Sequence, residues 1–86
     1  MALSGKQRRY LRSLGHHLDP VVQLGKLGLG DGVVRAISAA LEKHELVKVR
    51  IGTECPEDRH AIAERLTPAL GAELAGALGR TLLYYR

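Results

Sequence analysis

Glycine occupies four of the eight positions from Gly25 to Gly32, in the stretch "VVQLGKLGLGDGVV" between two apolar runs. Each glycine loses more conformational freedom on folding than any other residue and adds no apolar burial. A loop built this way must need bare backbone, whether for a tight turn, a close neighbour or a ligand. It also separates two kinds of structure. The residues before it are β-branched and contiguous, whereas those after it recur at helical intervals.

The loop sits in a chain of 86 residues, enough for one domain with one core and too few for two. A single domain over 1–86 is therefore expected. Apolar residues make up 45% of the chain, so it is expected to fold, and with no Trp or Phe the core must come from Leu, Val, Ile and Ala. One cysteine, Cys55, excludes an internal disulfide and points to a reducing, cytoplasmic setting. No apolar run approaches the roughly 20 residues of a membrane span, and no signal-peptide core is visible. Nothing demands more than a monomer.

The charge of +4 is unevenly placed. Up to Arg35, Lys6, Arg8, Arg9, Arg12, Lys26 and Arg35 face only Asp19 and Asp31, a surplus of four. From Ala36 onward seven cations meet seven anions and cancel. A polyanion suits such a pole, although a merely solvated basic surface would have the same composition.

Element by element, "SGKQRRYLRSLGHHL" places Leu3, Tyr10, Leu11, Leu14 and Leu18 on one helical stripe. Ser4 suits its start and Gly15 its end, while Lys6, Arg8, Arg9 and Arg12 lie off the stripe. "VVQL" predicts a short strand, and a second helix begins near Asp31, whose carboxylate is expected to cap it. That helix buries Val33, Val34, Ile37, Ala40 and Leu41. "LVKVRI" alternates Val47, Val49 and Ile51 with Lys48 and Arg50, so one strand face is apolar and the other carries two cations. "PEDRHAIAERL" predicts a third helix with Pro56 at its first position, Ile62, Leu66 and Leu70 inward, and a kink or stop at Pro68. Residues 72–78 favour helix by Ala, Glu and Leu but are broken by glycine, and are assigned to a strand. "GR" then forms a hairpin turn into "TLLYY". The fold class is α/β (α+β), in the order helix, strand, helix, strand, helix, strand, strand. Right-handed crossovers put the second and third helices on one face and leave Lys48 and Arg50 on the more open one.

From "LSGKQRRYLRSLGHHLDPVVQLGKLGLGDGVVRAISAALEKHELVKVRI" to the closing "LGRTLLYYR", the chain resembles the CRM domain, the module of chloroplast RNA splicing and ribosome maturation proteins. It is most similar to the free-standing bacterial YhbY-like members, over Leu3 to Arg86. The resemblance implies a mixed four-stranded sheet with two helices on one face plus an N-terminal helix, as in the C-terminal domain of translation initiation factor three. It also implies association with precursors of the large ribosomal subunit, with ribosomal RNA as the partner and ribosomal proteins as further candidates. The family's GxxG loop maps onto Gly25, Lys26, Leu27 and Gly28. In the KH module such a loop clamps the nucleic-acid backbone, because main-chain N–H groups reach phosphate where no β-carbon intervenes. Two departures stand out. Gly30 occupies a position where relatives commonly carry Thr. The chain also stops at Arg86 where many relatives continue into a basic tail, so weaker RNA binding than in longer homologues is expected.

Other chemistries fit poorly. The loop lacks the spacing and the Ser or Thr of a phosphate-binding P-loop, and no G-x-G-x-x-G occurs. His16 and His17 diverge by about 100° on a helix, and no partner stands at metal-ligand spacing for them or for His44 and His60. No base is identifiable for Cys55, which is expected to be structural. Tyr10, Tyr84 and Tyr85 offer rings for stacking or for packing. The expectation is a non-enzymatic RNA-binding domain without cofactor or metal, acting through Gly25, Lys26, Leu27, Gly28, Lys6, Arg8, Arg9, Arg12, Lys48, Arg50 and Arg80. A module that docks a ribosomal protein or assembly factor through its first helix is the alternative.

Overall fold

A computed structural model describes residues 2–86 and contains α1 (Gly5–Gly15), β1 (Pro20–Leu24), α2 (Asp31–His44), β2 (Leu46–Ile51), α3 (Arg59–Leu70), β3 (Glu73–Leu78) and β4 (Thr81–Tyr85). The element order is the one expected from the sequence. The strands form one sheet in the order β1-β2-β4-β3. β1 runs parallel to β2, and β4 lies antiparallel to both β2 and β3, so the sheet is mixed. The hairpin of β3 and β4 turns at Gly79, whose φ of 58° suits a residue without a β-carbon.

Helices α2 and α3 share one face of the sheet and bury their apolar stripes on it. Ile37 and Leu41 of α2 meet Ile62, Leu66 and Leu70 of α3 over Leu24, Val47, Val49, Ile51, Leu82 and Tyr84. Val33, Val34 and Ala40 are only partly buried at the margin of this core. Each large aliphatic side chain withdrawn from water stabilises the fold by about 1.5 to 3 kcal/mol. Tyr84 is the largest buried side chain, and its hydroxyl lies 2.8 Å from Thr67 Oγ1. Burial pushes its pKa up, against a smaller opposing effect of Thr67, so the phenol is held neutral in the core. At the far end of the chain Arg86 Nη1 donates to the Leu70 carbonyl at 2.7 Å, and Nη2 donates to the Ser38 carbonyl at 2.9 Å, joining α3 to α2.

The helix starts differ from expectation in two of three cases. Ser4 caps α1 as expected, accepting from Gln7 N at 3.1 Å while Gln7 Oε1 accepts from Ser4 N at 2.8 Å. Helix α3 begins three residues after Pro56, because Asp58 takes the capping position and accepts from Ala61 N at 3.0 Å. Asp31 does not cap α2: it is the first helical residue, and Gly30 caps with no side-chain bond. At the other end of α3, Pro68 lies inside the last turn, and the helix stops at Gly71 in the left-handed region.

Asp58 yields a prediction with a definite sign. Its pKa lies below the ordinary 3.8, chiefly because Ala61 N–H stabilises the carboxylate. Its contribution is present above the unfolded-state pKa and is lost as pH falls through the lowered folded value. Thermal unfolding followed across acid pH should show this loss. It should be reduced in Asp58→Asn, which keeps a capping oxygen without a titrating group.

Helix α1 covers part of the opposite sheet face. Its only buried residue is Gly15, whereas Tyr10 and Leu14 of its apolar stripe stay exposed. Gly15 does not end the helix in a left-handed turn; His16 follows in right-handed conformation. Instead, the glycine lets the helix pack closely, since a β-carbon there would stand 2.8 Å from Leu83 Cδ2 and the leucine would have to shift. A β-carbon on Gly76 of β3 would likewise meet the Arg12 stem at 2.7 Å. The helix therefore rests on the sheet through a glycine and the methylenes of an arginine.

Candidate nucleic-acid interface

Pairing of Leu24 with Ile51, and of Thr81 with both Arg50 and Leu78, brings the ends of β1, β2 and β3 and the start of β4 to one end of the sheet. The loop from β1 into α2, the loop from β2 into α3 and the β3–β4 hairpin therefore gather there. In the first of these, Gly28 N donates to the Gly25 carbonyl at 2.9 Å and closes a four-residue turn with Lys26 and Leu27 at its corners. Lys26 is exposed and Leu27 is 97% exposed. Among the described residues, no protein group accepts from the main-chain N–H of Lys26, Leu27 or Leu29. The first turn of α2 follows directly, with its free N–H groups and without a side-chain cap.

Of the four loop glycines, only one is explained by the protein itself. Gly28 is buried, has φ of 68°, and would carry a β-carbon 3.6 Å from Pro56. Gly25, Gly30 and Gly32 have ordinary φ and nothing within 4 Å of a built β-carbon. Because Gly30 already has the extended conformation of a capping residue, with φ of −113°, Gly30→Ser should raise thermal stability by roughly 0.5 to 1 kcal/mol. Calorimetry would measure it.

The other expected residues fall on the sheet face that carries α1. Lys48 and Arg50 project there, opposite the buried Val47, Val49 and Ile51. Lys6, Arg8, Arg9 and Arg12 are exposed along α1, and Arg12 and Lys48 line one depression with His16 and Thr81. No ion pair among the described residues engages Arg8, Arg9, Arg12, Lys48 or Arg50. Arg50 pairs in register with Gln23, two residues before Gly25, so the cationic face runs up to the loop. Arg80 stands in the hairpin turn and points a guanidinium at the Gly52 carbonyl, 3.5 Å away, which gives it a supporting role in the same end. The tyrosines divide: Tyr84 is in the core, Tyr85 is half-buried and Tyr10 is exposed.

Sequence reasoning missed the residues that hold the loop from behind. Gly52 N donates to the Leu24 carbonyl at 2.8 Å, just before Gly25. Arg65 of α3 pairs with Glu57 and donates through Nη2 to the Leu29 carbonyl at 3.2 Å. Arg59 Nη1 donates to the Gly79 carbonyl at 3.2 Å. The bonds to the Leu24, Leu29 and Gly79 carbonyls link residues 20 to 36 positions apart, and no local spacing announces them. Among the described residues no group of His, Cys, Asp and Glu is arranged to hold a metal. Cys55 is a partly buried free thiol. No described helix is long and apolar enough to cross a membrane.

The geometry is a mixed α/β sheet with a glycine turn exposed at one end and a cationic face beside it, a charge distribution suited to a polyanion. Comparison with known proteins gives the family. The model of the CRS1 / YhbY (CRM) domain matches residues 3–86, and the chain belongs to that family. It is 42% identical over 84 residues to the probable RNA-binding protein YqeI of Bacillus subtilis, covering 98% of this chain and 88% of that one. It is 39% identical over 84 residues to an RNA-binding protein of Haemophilus influenzae, covering 98% and 85%. The solution structure of the hypothetical protein SAV1595 from Staphylococcus aureus superposes with a TM-score of 0.83 at 40% identity, covering 98% of this chain and 88% of that one.

Proposed function

We propose that this chain is a non-enzymatic RNA-binding protein that holds the backbone of ribosomal RNA and assists assembly of the large ribosomal subunit. The observation that carries the reading is the loop itself. Three of its four glycines answer to no neighbour in the protein, and they stand where unpaired N–H groups meet the positive end of α2. A phosphodiester is the ligand that uses bare backbone, free N–H donors and Lys26 together. The cations of α1, Lys48 and Arg50 then supply sequence-independent attraction, while the turn sets register. The names of the two relatives support RNA as the polyanion.

The test is equilibrium binding to structured ribosomal RNA fragments over a range of salt. Affinity should fall steeply with salt, and Lys26→Ala should lower the slope by roughly 0.7 to 0.9. Gly25→Ala should reduce affinity several-fold without lowering the unfolding midpoint, because its β-carbon has room in the protein and obstructs only an approaching ligand. Gly28→Ala is the poorer probe, since a left-handed non-glycine residue strains the fold by about 1 to 2 kcal/mol. Salt-independent binding, or full affinity in Gly25→Ala, would refute the loop's role. Sedimentation of lysate, with and without nuclease, asks which ribosomal particle carries the protein.

A further inference from the structure

Part of the apolar stripe of α1 is left open to solvent, although Leu3, Leu11 and Leu18 are half-buried. Because Gly15 and the Arg12 stem make the contact, Tyr10 and Leu14, one turn apart, point sideways and remain 64% and 42% exposed. Val21 at the start of β1 is 40% exposed beside them. Two shallow depressions flank this ridge, one between Tyr10 and Tyr85, the other between Leu14, Leu18, Val21 and Leu46. They adjoin, because Leu46 and Tyr85 are register partners. The result is a continuous apolar band at the end of β2 opposite the glycine turn, about 17 Å away along the strand. Nothing in the RNA reading uses it, since phosphate contacts need cations and backbone donors rather than aliphatic surface.

The border of the band identifies what can cover it. Lys6, Ser13 and His17 stand four before, three after and seven after Tyr10, so they edge its solvent side, and Arg9 lies beyond them. Helix α1 contains no acidic residue. His44 lines the second depression, with Asp19 as the one carboxylate there. Two copies of this chain meeting α1 to α1 would bring together two helices that each carry Lys6, Arg8, Arg9 and Arg12 and no carboxylate, and like charges disfavour that pairing. Tyr10 and Leu14 stand four residues apart on α1, the spacing of a ridge that seats in the groove of another helix.

We propose that this band docks an amphipathic helix of a partner protein, whose apolar stripe covers Tyr10, Leu14 and Val21 and whose bordering Asp and Glu residues meet Lys6 and Arg9. RNA at the glycine turn and protein at the band occupy opposite ends of the sheet, and the two share only the bordering cations Lys6 and Arg9 of α1. The inference stands independently of the RNA reading.

A photoreactive benzoylphenylalanine placed at Leu14 in the full chain, in living cells, tests this directly. The expected result is a nuclease-resistant adduct with one other protein, mapped by mass spectrometry to a helical segment with acidic residues bordering an apolar stripe. Adducts only with RNA, with lipid or with a second copy of this chain overturn the proposal, as does the lack of any adduct. A second arm uses the purified chain and a synthetic helical peptide with leucines on one face bordered by glutamates. It should bind at least tenfold more tightly than its lysine-bordered counterpart, shifting amide resonances around Tyr10, Leu14 and Val21 but not those of Gly25 to Gly28. Leu14→Gln, which adds no charge beside the α1 cations, should weaken it tenfold while leaving RNA affinity and the unfolding midpoint unchanged. Equal affinity for both peptides, or insensitivity to Leu14→Gln, refutes the proposal even where RNA binding behaves as described.

Discussion

Gly52→Ala should lower the stability of the domain by about 2 to 3 kcal/mol, the largest loss expected here from adding a single carbon. A β-carbon at this buried position would stand 2.7 Å from the Leu24 carbonyl oxygen. That oxygen belongs to the backbone of a central contact and already accepts from Gly52 N at 2.8 Å. No rotamer change relieves the clash, so β1 and β2 must separate where the loop begins. In a domain of this size the loss corresponds to a fall of roughly 10 to 20 °C in the unfolding midpoint, readable by circular dichroism. Gly25→Ala, adding the same carbon in open space, provides the control. An unchanged midpoint in Gly52→Ala would mean that the Leu24 carbonyl moves aside freely, and that the loop is not clamped as described.

The second large effect concerns binding. Replacing Lys48 and Arg50 together with glutamate should weaken RNA affinity by about a hundredfold at low salt, taking roughly tenfold for each reversed charge. Both side chains leave β2 on the face away from α2 and α3, and neither forms an ion pair with a described residue. Folding should therefore survive, and the loss should appear as a salt slope reduced by roughly 0.7 to 0.9 per contact. The peptide bound at the apolar band of α1 should be unaffected. If affinity for RNA were retained in the double variant, the sheet face would be excluded from the interface and the turn with α1 would have to account for it alone.

Comparing sequence with structure separates local from nonlocal information. The alternation of Val47, Val49 and Ile51 with Lys48 and Arg50 specified the buried and cationic faces of β2, because side-chain direction in a strand follows from a period of two. The spacing of Ile62, Leu66 and Leu70 did the same for α3. The glycine turn was visible because glycine is unusual in such density. Its meaning was not, since only neighbours in space reveal that Gly28 is packed against Pro56 while Gly25 is free.

Helix α1 shows the limit most clearly. Its apolar spacing marks a helix, yet periodicity says which residues share a face and not which face meets the sheet. Close approach decided that. Gly15 and Gly76 let α1 settle on Leu83 and on its own arginine stem, leaving Tyr10 and Leu14 outward. Likewise the caps of α2 and α3 moved by one or more residues, because Gly30 and Asp58 had the extended backbone that a capping residue needs.

By itself the sequence determined the order of elements, the apolar faces of α2, α3 and β2, and the placing of surplus positive charge in the first 35 residues. These depend on periodicity and composition, which are properties of neighbours along the chain. Only the tertiary structure decided which glycines the fold itself requires, which side of α1 faces water, and that Gly52, Arg59 and Arg65 support the loop end. Those outcomes depend on distances between residues far apart in sequence, and such distances exist only once the sheet has closed.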